Sequence, residues 1–363
     1  MGVKINSFKK IMTLKEDRFS IDGPIWQEVQ IKNSKEFEEV VNIFEKLNLI
    51  DKKVFFRIYH LKGLEINSSN LMVQSNFKNF VAKKYNVSDA SFLNSQVDLY
   101  KFIKKKKLSG PYILDGHMPE SFIKKNVDML FLEYKKGQYY KGSFADMKKA
   151  ASSISNFIKE FQSFDSSKLQ EIEILQKNSK DIFEDFELQK NSWSLKFGNE
   201  TAHLLKSEWG YIKECLNNSS KEIVKIKKAK KFALHIDLHP HNLLIHKDEC
   251  TILDIDSIRL CHWPSAVGFT IFKLLRQSLT HLSYDRKFEQ NAKKFITTVT
   301  ESINKEGIPG DVLFIGARLE ILRRLLIILE GNLGEKISPW NSVLEIQMNA
   351  LKEVNLLREL MLE

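Results

Sequence analysis

The residue pattern of this chain changes near Gly137. Before it, short aromatic and β-branched runs alternate with polar turns. After it, apolar residues recur at helical spacing almost to the end. Strands first and helices after predict an α+β chain with two segregated lobes, a small and mainly antiparallel β N-lobe and a larger helical C-lobe. In the first part, Ile25–Ile31 and Val54–Tyr59 read as strands. Between them a helix starts at Ser34, with Phe37, Val40, Val41, Phe44 and Leu47 on one face. Asn70–Gln74 and Phe80–Tyr85 flank the polar stretch Ser75–Asn79 and read as a hairpin. Ser91–Ile103 reads as a helix, and Tyr112–Leu114 and Met129–Tyr134 as short strands. Later, Phe144–Phe161, Val267–Leu282, Asp311–Glu330 and Ser342–Leu362 read as helices. Residues 165–230 are polar and mostly helical, and 232–256 are short strands and loops.

A length of 363 residues suits two lobes and a substantial core without covalent staples. The three cysteines, Cys215, Cys250 and Cys261, exclude a disulfide framework and point to a reduced, cytoplasmic compartment. The net charge of +10 favours anionic partners such as nucleotides. The basic runs Lys104–Lys107 and Lys225–Lys231 lack interleaved aromatics, so they read as solvated faces, and nucleic acid is not expected as a partner. The longest aliphatic run, Leu325–Leu329, is far short of the ~20 apolar residues of a membrane helix, so no transmembrane segment is expected. The opening residues lack an apolar secretory core, and Asn6 breaks the myristoylation pattern. Trp26, Trp193, Trp209, Trp263 and Trp340 are dispersed and read as core or rim.

Residues 234–256 carry the chemistry. They contain H-x-D-x-x-x-x-N (His235, Asp237, Asn242), and then Leu253-Asp254, twelve residues beyond the Asn. Leu243–His246 and Cys250–Leu253 are apolar runs joined by Lys247-Asp248-Glu249, which predicts a hairpin with a three-residue loop. A symmetric register pairs 246 with 250, 244 with 252 and 242 with 254. Directly opposed residues lie about 4.5–5.5 Å apart on one face. An amide oxygen and a carboxylate so placed can share Mg²⁺, which keeps its other positions for phosphate and water. Asp237 beside them can accept a proton from, or orient, an attacking hydroxyl. Phosphoryl transfer asks mainly for positioning and charge neutralisation. Asp and Asn are also ordinary turn formers, but the combined spacing favours function.

At these residues the sequence resembles the aminoglycoside phosphotransferase/choline kinase family, which has the protein-kinase-like fold. The family's H-G-D-x-H-x-x-N and I-D-[FW] stand here as H-I-D-L-H-P-H-N and L-D-I-D. The resemblance implies that Asp237 is the catalytic base and that Asn242 and Asp254 hold Mg²⁺, with Asp256 as a further carboxylate nearby. It implies ATP as the nucleotide, a small-molecule hydroxyl as acceptor, and His235 as a brace of the loop. Upstream, Ser69-Asn70-Leu71-Met72-Val73 and Phe80-Val81-Ala82-Lys83 look like the family's phosphate-binding hairpin, with Lys83 on the α/β-phosphates and Ser69 in the phosphate loop. A protein-kinase A-x-K reading places that role on Lys84. The two neighbours point to opposite sheet faces, so one of them serves. Met129–Gly137 looks like the last N-lobe strand and hinge, with backbone groups of Glu133 and Lys135 on adenine. The implied layout is an N-terminal extension (1–60), a nucleotide-binding N-lobe (61–134) and a C-lobe (135–363) holding the catalytic loop (234–256) and a helical substrate-binding insert (165–230).

The chain also departs from the family. Ile236 and His241 stand where the family loop has glycine, and loop 65–69 has no glycine. Ser91–Ile103 has no glutamate to pair with the lysine; Gln96 and Asp98 are the nearest substitutes. His239 and His241 fit no standard zinc spacing. Arg318, Arg323 and Arg324, on a late helix, read as salt-bridging residues, with anionic substrate binding as the lesser alternative. No A-P-E segment follows Asp254, which argues against a protein substrate. The expected activity is therefore an ATP- and Mg²⁺-dependent small-molecule kinase acting on a sugar, an amino alcohol, an aminoglycoside-like compound or a glycan precursor. The alternative is a catalytically silent nucleotide-binding or scaffold protein, motivated by the two missing glycines and the missing glutamate.

Overall fold

The computed structural model describes residues 25–29, 35–51, 53, 55–61, 70–75, 78–84, 90–114 and 129–362. The chain divides into two compact units. One draws on 22–139 and 244–256, the other on 140–243 and 257–363.

The first unit is built on a five-stranded antiparallel sheet of β1 (Trp26–Glu28), β2 (Phe56–Leu61), β3 (Asn70–Ser75), β4 (Phe80–Lys84) and β5 (Met129–Glu133), in that spatial order. Strand alternation sends Leu71 and Val73 of β3, Phe80 and Ala82 of β4, and Met129 and Phe131 of β5 into one core. Helix Lys35–Lys46 covers it with Val41 and Phe44. The Phe44 ring meets Phe80 and Phe131 edge-on at 5.5 and 5.8 Å. Helix Ala90–Lys105 buries Gln96, Val97, Leu99, Tyr100 and Ile103. The expected strand at Tyr112–Leu114 is a single bridge, Ile113 to Leu132.

The hairpin expected after Asn242 is present, but its loop is shorter. Its strands are Leu243–His246 and Glu249–Ile252, leaving Lys247 and Asp248 as the connection, with Lys247 left-handed at φ 50°. A lysine in that conformation lets the chain reverse one residue earlier than the symmetric register requires. The register that set 242 opposite 254 assumed a three-residue loop, which the structure does not have.

The second unit is mainly helical. Helix Phe144–Phe161 begins where expected because Ser143 and Asp146 form a reciprocal capping box. The insert holds helices Ser179–Leu188, Trp193–Phe197 and Asn199–Ile226. Its aromatic residues make its core: Phe183 stacks on Trp209 at 4.1 Å and Phe186 on Trp193 at 5.2 Å. Strands Lys231–His235 and Ile258–His262 pair antiparallel, and the loop bearing Asp237 leaves the end of the first. Helices Trp263–Leu279, Arg286–Thr300, Gly310–Glu330 and Leu344–Leu362 follow. Among the described residues, no helix is long and apolar enough to cross a membrane.

Helices Trp263–Leu279 and Gly310–Glu330 touch backbone to backbone. A Cβ on Gly268 would overlap the carbonyl oxygen of Leu313, and one on Gly316 that of Pro264. Neither oxygen can swing away as a side chain would, so the helices themselves must part. Gly316→Ala is expected to cost about 1–3 kcal/mol or more from this overpacking, read as a lowered urea midpoint. An unchanged midpoint would show that the crossing has slack.

Candidate functional site

In the first unit the site is organised around Lys83. Phe80 and Ala82 face the core, so the pleat turns Lys83 to the opposite face. There Lys83 is 7% exposed, and its Nζ lies 2.5 Å from both Asp254 Oδ1 and Asp256 Oδ1. Burial alone would lower the lysine pKa. The charges of Asp254 and Asp256, and a smaller contribution from Tyr100, outweigh it and hold the ammonium form. Burial and the neighbouring Asp254 charge push the Asp256 carboxyl above its ordinary range, against the pull of Lys83.

Asp254 has φ 55°, a left-handed conformation uncommon for a residue with a Cβ, just before the short helix Ile255–Ser257. The acidic partners of Lys83 thus come from the L-D-I-D stretch. Of the two substitutes considered for the missing helix glutamate, Gln96 is buried, and its Oε1 has no hydrogen-bond partner among the described residues. The i, i+2 spacing of Asp254 and Asp256 was the available signal for this double pairing.

The hinge candidates lie at the end of β5. The Glu133 amide donates to Tyr112 O at 2.8 Å, so the adenine expectation rests on the Glu133 carbonyl and on Lys135's backbone. Lys135 Nζ bonds Glu133 Oε2 at 2.9 Å and lies over the Tyr112 ring at 4.7 Å. Ser69 and the phosphate loop 65–69 lie outside the described residues, as does the Lys84 side chain.

In the second unit the site is organised around Asp237. The loop leaves strand Lys231–His235, and its shape is set by three local hydrogen bonds. The Asp237 amide donates to His235 Nδ1 at 3.2 Å, the bracing role implied for His235. Asn242 Nδ2 donates to Asp237 O at 2.8 Å. His239 caps the short helix Pro240–Asn242, accepting from the His241 amide at 3.3 Å. His241 is buried in its glycine-expected position. With the Asn242 amide nitrogen committed, its carbamoyl oxygen is the end suited to a cation. An amide oxygen such as that of Asn242 and a carboxylate such as that of Asp254 are each of the donor type that Mg²⁺ takes beside phosphates and water. Among the described residues, no group of three His, Cys, Asp or Glu side chains is placed to hold a metal.

Arg324 reaches the Asp237 loop. Its Nη1 donates to Asp237 Oδ1 at 2.8 Å and its Nη2 to Ile236 O at 2.9 Å. Its Nε donates to Glu320 Oε1 at 2.8 Å. The sequence predicts salt bridging for Arg324, but no local pattern says to which carboxylate, because the partner is 87 positions away.

No protein-family model matches the sequence, and no curated protein matches it as a relative. Solved structures do. A spectinomycin phosphotransferase solved with ADP and spectinomycin superposes with a TM-score of 0.56 at 12% identity, covering 89% of this chain and 97% of that one. A choline/ethanolamine kinase family protein from Mesorhizobium loti gives 0.55 at 10% identity, over 88% and 97%. An aminoglycoside phosphotransferase from Alicyclobacillus acidocaldarius gives 0.53 at 13%, over 82% and 92%. The chain has the protein-kinase-like fold of these phosphotransferases. At such identities the likeness establishes the fold, and the chemistry is argued from the chain's own residues.

Proposed function

We propose that this protein is an ATP- and Mg²⁺-dependent phosphotransferase that moves the γ-phosphoryl group to a hydroxyl of a small molecule. The observation that carries the reading is the buried Lys83 held by two carboxylates. Burying the lysine charge against two half-buried carboxylates is costly, and perturbed ionisable clusters concentrate at functional sites. In this reading Lys83 engages the α/β-phosphates while Asp256 keeps one of its three protons engaged. Asn242 and Asp254 hold the magnesium ion, which neutralises charge on the phosphates. Ser69 lies in the phosphate loop, and Glu133 and Lys135 meet adenine through their backbones. Asp237 receives the proton of the acceptor hydroxyl, or orients it. The acceptor is a sugar, an amino alcohol, an aminoglycoside-like compound or a glycan precursor. The buried thiols of Cys215, Cys250 and Cys261 suit a reduced, cytoplasmic setting.

The test is ADP release with Mg·ATP across hydroxylated metabolites, sugars and amino alcohols first, beside a direct measurement of ATP affinity. Turnover with one acceptor class supports the reading, and removal of Mg²⁺ by EDTA is then expected to abolish it. Failure to bind ATP sinks it. Ile236 and His241 in the glycine positions favour a second reading, a nucleotide-binding scaffold. Tight ATP binding by a wild type with no turnover would select that one.

A further inference from the structure

We propose that Arg324 is a positioning residue for Asp237. It holds one carboxylate oxygen and so sets the rotation of the carboxylate toward the acceptor hydroxyl. This inference rests on the phosphotransfer reading above and names a residue that the loop motif does not contain.

The guanidinium is held on every side. Its Nη1 and Nη2 grip two consecutive residues of the catalytic loop, the side chain of Asp237 at 2.8 Å and the carbonyl of Ile236 at 2.9 Å. Its Nε is held at 2.8 Å by Glu320, one helical turn earlier, and its face lies 4.3 Å from the centre of the Phe269 ring. Glu320 is itself buried, and Arg323 binds it through two hydrogen bonds of 2.8 and 2.7 Å. Both arginines keep the Glu320 carboxyl below its ordinary range despite its burial. The helix carrying these residues is locked by the Gly268 and Gly316 crossing. An unbroken chain of contacts therefore runs from the helix core to one oxygen of Asp237.

An exposed ion pair between long side chains would contribute little. Here the fork matches a carboxylate and a backbone carbonyl at once, a geometry a lysine cannot reproduce. Oδ1 is taken, and Oδ2 lies 3.9 Å from His239 Nε2. The rotation of the Asp237 carboxylate, and so the oxygen that meets a substrate, is set from the helix.

The test compares wild type with Arg324→Met, Arg324→Lys and Arg324→Ala in Mg·ATP turnover, read as ADP release with the best acceptor or with water. Arg324→Met is expected to lower kcat by about 30- to 100-fold, as misplacement of a reacting group by about an ångström does. KM for ATP stays within about twofold, because the mutated residue acts on the acceptor side. Arg324→Lys recovers only part of kcat. Added guanidinium at low millimolar levels raises the rate of Arg324→Ala, a response that a purely structural role would not give. Undiminished kcat in folded Arg324→Met overturns the inference and leaves the phosphotransfer reading standing. Loss of ATP affinity together with kcat, without rescue by guanidinium or lysine, also overturns it and makes Arg324 a structural residue. A wild type that binds ATP and releases no ADP ends both.

Discussion

Asp237→Asn is expected to reduce turnover by about 10²- to 10⁴-fold, the range for loss of a positioned proton acceptor. The substitution is nearly isosteric and keeps the backbone hydrogen bonds to His235 and Asn242, since these use the amide and carbonyl of Asp237. The negative charge is lost, along with the charge-assisted bond to Arg324. Nucleotide affinity is expected to stay close to wild type, because Lys83 and Asp254 are untouched. Turnover under saturating ATP, with affinity measured separately, checks both halves. A variant that keeps most of its rate would remove Asp237 from the chemistry. The phosphotransfer reading would then need another acceptor for the proton.

How much of this could be read from the sequence depends on range. Helix Phe144–Phe161 was found to the residue because its cap and apolar stripe are local. The β3–β4 hairpin was found because alternation and a polar turn are local too. The L-D-I-D stretch pointed to two carboxylates, but their convergence on Lys83 spans 171 and 173 positions, and only the fold brings them together. Arg324 was seen as an ion-pairing residue without its partner for the same reason. The loop of the Leu243–His246 hairpin was misjudged because Glu249, polar and adjacent to Lys247-Asp248, reads as loop while the backbone makes it strand. A strand's first residue is chosen by its ladder partner as much as by its own character.

The second large effect concerns stability. Lys83→Met is expected to lower the unfolding free energy by about 2–4 kcal/mol, less than the loss of a fully buried ion pair because the Asp254 side chain is 31% exposed. The methionine fits the space of the lysine stem, so packing changes little. Asp254 and Asp256 are left facing each other with no cation between them. The doubly substituted Lys83→Met/Asp256→Asn protein is expected to recover a large part of the loss by removing one of the two repelling charges. The pH dependence has a definite sign. Burial and Asp254 already raise the Asp256 carboxyl, and without Lys83 the main opposing charge and hydrogen bond are gone, leaving a backbone hydrogen bond as the lesser counterweight. A carboxyl with a raised folded pKa contributes stability below its unfolded value, near 3.9, and loses that contribution as pH rises through the folded value. The deficit of Lys83→Met is therefore smallest near pH 4 and grows toward neutrality, which urea midpoints across that range would show. A deficit that stays flat with pH, or a double variant no better than the single, would mean that shape rather than charge holds Lys83 in place. The lysine would then owe its place to packing, and the cluster would no longer point to phosphate chemistry.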